Sequence, residues 1–145
     1  MTLQVRPFIE ADEAQVVVLW ERCGLVRAWN DPRKDIARKR QVQRELFLVG
    51  LDGDRGDRIV ATVMAGYEGH RGWINYLAVD PDCRRQGFGR ALMAAAEERL
   101  RALGCPKINL QIRHDNRDAI AFYRRLGFVE DAAISLGKRL DRDDR

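Results

Sequence analysis

The chain has no apolar run approaching the roughly 20 residues needed to cross a bilayer, so its sequence offers no helical membrane span and no membrane partner is expected. Its opening residues, Met1 to Phe8, lack a basic region followed by an apolar stretch and a small-residue cleavage site. No secretory signal is therefore expected, and a cytoplasmic location follows by default. Cysteine is scarce. Cys23, Cys83 and Cys105 are odd in number and far apart, which fits neither a disulfide framework nor a zinc cluster, and no metal is expected. No internal repeat, low-complexity stretch or linker interrupts the 145 residues. That length suits one domain, residues 1–145, able to bury a core without disulfides or a structural metal.

What is present is the composition of a globular protein: 46% hydrophobic and 33% charged residues. A net charge of +4 and a pI near 9.2 suit an anionic ligand such as a nucleotide phosphate as readily as nucleic acid. A helix-turn-helix pattern and an aromatic RNA-binding strand are both missing, so no nucleic-acid partner is expected.

Hydrophobic periodicity gives the order of elements. Leu3 and Val5 open with a short strand, and Val16, Leu19, Trp20 and Cys23 form the stripe of a helix whose start carries Glu10, Asp12 and Glu13. Asp31 and Pro32 start a second, basic helix running to about Val42. Leu46 to Leu51 and Ile59 to Tyr67 pair as a hairpin across the turn-forming residues 52–57, and Trp73 to Val79 adds a third strand that Asp80 and Pro81 terminate. Phe88, Leu92, Ala96, Leu100 and Leu103 mark the longest helix. Ile108, Leu110 and Ile112 alternate as a strand, Ala119, Phe122, Tyr123 and Leu126 share a helical face, and Ile134, Leu136 and Leu140 suggest a closing strand. The stretch Asp141 to Arg145 is expected to fray.

The loop Arg84, Arg85, Gln86, Gly87, Phe88, Gly89, Arg90 lies between a strand and the start of that longest helix, where free backbone amides and the helix dipole favour an anion. Gly87 and Gly89 let the backbone approach a phosphate closely, and three arginines add positive charge. No Gly-Lys-Ser/Thr follows, and the third glycine and later acid of a dinucleotide fingerprint are missing. Another phosphate-bearing cofactor is required.

Arg84, Gly87 and Gly89 match the Arg/Gln-x-x-Gly-x-Gly/Ala signature of the GNAT superfamily of acyl-CoA-dependent N-acetyltransferases, which this sequence resembles. The run Asn116 to Phe128 matches that family's Asn-x-x-Ala-x-x-Phe-Tyr-x-x-Leu-Gly-Phe, and Leu77 to Pro81 looks like its central strand leading into the cofactor loop. Trp20 to Cys23 and Trp29 to Pro32 resemble a small bacterial subgroup of poorly characterised acetyltransferases. The resemblance implies an α+β fold of layered type: a mixed, mostly antiparallel sheet of about six to seven strands, about four helices on both faces, and a splayed parallel strand pair. It implies acetyl-CoA as co-substrate and an amine acceptor, with the chain a monomer or homodimer.

By family position, Leu77, Ala78 and Val79 line the pantetheine arm, with Ile108 to Ile112 as the other wall, and the amides of Gln86 to Arg90 hold the pyrophosphate beside Arg84 and Arg85. Asn116 either bonds to pantetheine or caps its helix. Tyr123 is the matching position for an acid that protonates the departing thiolate, its alternative being a core aromatic. Glu68 or His70, in the turn after the third strand, is the nominee for a base, with a water chain as the other option. The amide of Ala78 or Val79 polarises the thioester carbonyl. No Ser/His/Asp pattern or Cys/His pair supports a covalent acyl-enzyme, so direct attack by the amine is expected. The competing reading is a CoA-binding regulatory module without turnover. Acceptor choice falls to the residues from Trp20 to Val42 and from Tyr67 to Arg71, with Trp29 as a pocket wall or a staple. The basic helix is either an acid-attracting patch or a solvated face.

Overall fold

The computed structural model describes residues 3–144, so Met1, Thr2 and Arg145 lie outside the described residues, as does the part of the expected frayed end that falls on Arg145. Along the chain come β1 (Leu3–Pro7), α1 (Glu13–Arg22), α2 (Pro32–Lys39), β2 (Phe47–Asp52), β3 (Arg58–Tyr67), β4 (Gly72–Val79), α3 (Phe88–Ala102), β5 (Ile108–Leu110) and α4 (Arg117–Arg125). The strands form one sheet in the order β1-β2-β3-β4-β5. The first four are antiparallel neighbours, and β5 runs parallel to β4, with α3 making the crossover.

Local chemistry fixes the helix ends. The Asp31 carboxylate accepts the amides of Arg33 at 2.9 Å and Lys34 at 3.4 Å, and Pro32 takes the first helical position. This helix stops at Lys39, short of Val42, because Gln41 and Val42 bond only three residues back and Gln43 turns left-handed at φ 50°. Two clusters cover the two faces of the sheet. Leu92, Met93, Ala96 and Leu100 of α3 pack on one side with Leu48, Val63 and Ile74. Val16, Leu19 and Trp20 of α1 and Ile36 of α2 pack on the other with Phe47, Val49 and Ala78.

A bulge in β4 connects the faces. The register of β3 against β4 shifts between Thr62 and Met64, and Tyr76 has a φ of 50°. Ile74, Leu77 and Val79 consequently pack with the α3 cluster, whereas Tyr76 and Ala78 pack with α1 and α2. The fully buried Thr62 holds the bulge, its Oγ1 accepting from Trp20 Nε1 at 2.9 Å and donating to the Tyr76 carbonyl at 2.9 Å. Trp20 stacks on the Tyr76 ring at 3.8 Å and 12°.

The sheet has five strands among the described residues, which corrects the expected six to seven or so. No ladder forms at Ile134, Leu136 and Leu140, whose side chains are 88%, 91% and 91% exposed. An extended segment repeats its side chains every two residues whether or not a sheet neighbour is present, so the alternation alone did not imply pairing. The segment meets β5 and its flank through side chains instead: Asp131 accepts from Lys107 at 2.9 Å and Asn109 at 2.7 Å, and Gln111 meets Ser135. The expected fraying is also corrected at Asp143, whose side chain is 2% exposed. Its carboxylate accepts from Arg38 at 2.5 Å and from the Asp31 amide at 2.8 Å.

Thr62→Val should leave the Trp20 N–H and the Tyr76 carbonyl without partners and lower stability by about 2–4 kcal/mol in urea unfolding, with Thr62→Ser close to wild type. Arg38 and the Asp31 amide hold the Asp143 carboxyl down at about 2. Docking of that residue should therefore persist from neutral pH to about 3.9, the value of a free side chain, and be lost as pH falls through about 2. The amide shift of Asp31 during an acid titration reads this directly.

Candidate functional site

The parallel ladder between β4 and β5 is short. Gly72 pairs with Ile108, Trp73 with Asn109 and Ile74 with Leu110, and there it ends. Strand β4 continues to Val79 with no strand on that side among the described residues, so the two strands part and Asn75 to Val79 present an open backbone edge. The far wall, expected to reach Ile112, stops as a strand at Leu110. Beyond it the chain turns through Arg113 to Asn116, where the Asn116 amide donates to the Arg113 carbonyl at 2.9 Å.

The open edge leads into the glycine loop. Asp80, 3% exposed, ends β4 and fixes its exit: it accepts from Arg22 at 2.5 Å and from the Asp82 amide at 2.9 Å, and donates its own amide to the Val60 carbonyl at 2.7 Å. Arg85 and Gly87 then adopt left-handed φ values of 66° and 80°. The first backbone bond of α3 comes from the Ala91 amide to the Gly87 carbonyl at 3.0 Å. The amides of Gln86, Gly87, Phe88, Gly89 and Arg90 donate to no acceptor among the described residues. Helix α2 is capped by Asp31 and α4 by Asn116, and the first turns of α1, α2 and α4 carry an acid; α3 has neither cap nor acid. Its positive end is bare, with exposed Arg84, Arg85 and Arg90 around it.

Gly89 explains the orientation. A Cβ there would stand 3.2 Å from Phe122 Cζ and 3.6 Å from Val79 Cγ2, so the first turn of α3 lies directly against α4 and the end of β4. Beside Phe122, Tyr123 packs edge-on to the Phe122 ring at 5.1 Å and the Phe128 ring at 5.5 Å. Tyr123, Leu77 and Val79 all border the α3 cluster. Burial pushes the Tyr123 phenol up to about 12, and its hydroxyl has no hydrogen-bond partner among the described residues. The aromatic contacts and the free hydroxyl coexist. Asn116 caps α4, its Oδ1 accepting the Ala119 amide at 3.1 Å, while its Nδ2 donates to nothing among the described residues.

Glu68 and His70 lie in the β3–β4 turn. The Glu68 carboxylate accepts the amides of Arg71 at 2.5 Å and His70 at 2.6 Å, which closes the turn and holds its pKa below the usual carboxylate range. The structure thus employs it locally, and a carboxylate so stabilised is a weak base. Trp20 is fully buried and Trp29 is 51% exposed, with the Arg113 guanidinium 5.8 Å over its ring. The first tryptophan staples α1 to the sheet, and the second bridges from the α1–α2 connection to the chain beyond β5. Much of the basic face of α2 is engaged within the chain: Arg33 with Glu13 at 2.9 Å, Arg38 with Asp35 at 3.0 Å, Arg40 with Glu10 at 3.4 Å, and Lys39 Nζ with the Ala65 carbonyl at 2.5 Å.

Sequence reasoning passed over Tyr76 and Asp35. The Tyr76 hydroxyl, within the open edge of Asn75 to Val79, donates to Asp35 Oδ2 at 2.6 Å, and burial raises the phenol's pKa well above its ordinary value. Strict alternation along β4 could not assign Tyr76 to the α1–α2 face, because the bulge reverses the phase there.

Comparison with known proteins agrees with this geometry. Residues 14–128 match the model of the "Acetyltransferase (GNAT) family". An acetyltransferase of Yersinia enterocolitica is 46% identical over 138 residues, spanning 95% of this chain and 96% of that one. Among solved structures, the ribosomal-protein-S18-alanine N-acetyltransferase of Escherichia coli superposes with a TM-score of 0.76 at 24% identity, over 90% of this chain and 79% of that one. The PaiA N-acetyltransferase of Thermoplasma acidophilum, solved in complex with coenzyme A, gives 0.72 at 14% identity over 92% and 94%. These two show likeness of fold; the match to the family model and the Yersinia relative show kinship, and the chain belongs to the GNAT acetyltransferase family.

Proposed function

We propose that this acyltransferase moves an acetyl group from acetyl-CoA to a primary amine by direct attack of the amine on the thioester. The observation that carries the reading is the row of unengaged amides from Gln86 to Arg90 at the end of an open strand edge. A pyrophosphate suits such a helix terminus, since it takes several N–H donors and favours the positive end of the dipole. Arg84, Arg85 and Arg90 add charge around it without filling it. The exposed edge of Asn75 to Val79 offers backbone donors and acceptors to the amides of a pantetheine arm, in the manner of a strand neighbour. The coenzyme A complex of the Thermoplasma protein supports the same choice of donor.

On this reading the amine nitrogen bonds to the acetyl carbon, the carbonyl oxygen gains charge beside the amide of Ala78 or Val79, and the thioester C–S bond breaks. Tyr123 donates its phenolic proton to the leaving sulfur. Its burial keeps it protonated across the working pH range, as an acid must be. The ammonium proton leaves through solvent rather than Glu68, whose carboxylate is committed to the Arg71 and His70 amides.

The test is acetyl-CoA titration followed by thiol release over a panel of amines, amino acids, polyamines and peptides. Saturable binding with amine-dependent release is expected; binding without release from any amine would make the chain a CoA-binding regulator. Tyr123→Phe should lower kcat about 100-fold with acetyl-CoA affinity unchanged, and equal turnover would remove the acid role. In the wild type, kcat should show no alkaline decline from this group until pH approaches its value of about 12.

A further inference from the structure

Residues 129–144 follow α4 as an extended strap. No backbone–backbone hydrogen bond joins them to any other described residue, and all of them are exposed apart from Asp143. A single buried carboxylate at the far end of an exposed strap is the arrangement of a bound ligand rather than of a packed core. The groups that hold it belong to the folded body. Arg38 Nη2 donates to Asp143 Oδ1 at 2.5 Å, the Asp31 amide donates to Oδ2 at 2.8 Å, and Lys34 Nζ donates to the Asp143 carbonyl at 2.6 Å.

Contacts within the folded body also hold these groups. Helix α2 is fixed by its Asp31 cap and by the fully buried Ile36, and Arg38 is held by Asp35 at 3.0 Å. Asp35 in turn receives the Tyr76 hydroxyl, and Tyr76 precedes Leu77 on the open edge of β4. A chain of side-chain contacts therefore runs from the carboxylate's pocket to the strand beside which the thioester would lie. It approaches from the α1–α2 face, opposite to α3.

We propose that the Asp31 amide and Arg38 form a binding site for a carboxylate carried by the acceptor amine, with Lys34 beside it on the Asp143 main-chain carbonyl, and that Asp143 fills this site in the free chain as an intramolecular stand-in. The assignment of the ligand as an acceptor rests on the transferase reading; the carboxylate site itself does not. Acceptors are then amines bearing a carboxylate, as amino acids and peptides do, and they bind by displacing the strap. Their apparent affinity is reduced by the fraction of molecules in which Asp143 occupies the pocket.

The full-length chain is titrated with succinate, and with succinamide as the uncharged control, in wild type, Asp143→Ala and Asp143→Ala/Arg38→Ala forms. Succinate should bind Asp143→Ala about tenfold or more tightly than wild type and lose that gain in the double variant, with succinamide binding none of them. Equal succinate affinity in wild type and Asp143→Ala overturns the proposal. In wild type, succinate should also shift the Asp31 amide together with those of residues 141–144 toward their free-chain positions; an unmoved Asp31 amide at saturation overturns it without any variant. With acetyl-CoA present, Asp143→Ala should lower KM for glycine and leave KM for glycinamide unchanged. Succinate binding as expected with no thiol release from any amine contradicts the transferase reading alone, and thiol release with no Asp143 effect on succinate contradicts the carboxylate site alone.

Discussion

Gly89 lets the ring of Phe122 lie where a side chain would otherwise stand, and the rest of the site depends on that contact. It brings the first turn of α3 against α4 and against Val79 at the end of β4, so the three elements share one point. A Cβ held 3.2 Å from the ring would require Phe122 to give way by a few tenths of an ångström at the point where α3, α4 and β4 meet. Those amides stand at a bare helix end, with no cap and no acid in the turn. An anion with several acceptor oxygens suits such donors.

The second constraint is the bulge at Tyr76. It lets β4 serve both faces of the sheet: Leu77 and Val79 toward α3 and α4, Tyr76 and Ala78 toward α1 and α2. Thr62 and Trp20 hold it from beneath by two hydrogen bonds and a ring stack. On the proposed reading, a donor bound along the α3 side and an acceptor entering beside Tyr76 meet at one strand. The division of labour between the two faces is a consequence of a single left-handed residue in β4.

Much of this was legible in the sequence because it is local. The glycine loop, the Asp31–Pro32 helix start and the meander each follow from a few adjacent residues. The run from Asn116 to Phe128 carried the family resemblance, and within it Phe122 proved to be the residue that Gly89 accommodates. What escaped was set by long-range contact. The bulge reverses the pleat of β4, so alternation alone could not assign Tyr76 to a face. Ile134, Leu136 and Leu140 alternate as a strand does, yet no sheet edge receives them. Asp143 is buried by Arg38 and Asp31, more than a hundred residues earlier in the chain, and nothing in its neighbourhood of Asp141 to Asp144 announces this. Glu68 was nominated for its position, and the geometry shows its oxygen closing its own turn.

The central claim is that the amides at the head of α3 receive the pyrophosphate of acetyl-CoA. Backbone amide shifts of isotopically labelled protein during an acetyl-CoA titration test it most directly. The account predicts saturable downfield shifts of Gln86 to Arg90, with slowed solvent exchange at the same five amides. Binding of acetyl-CoA that leaves these amides unshifted and unprotected would contradict it.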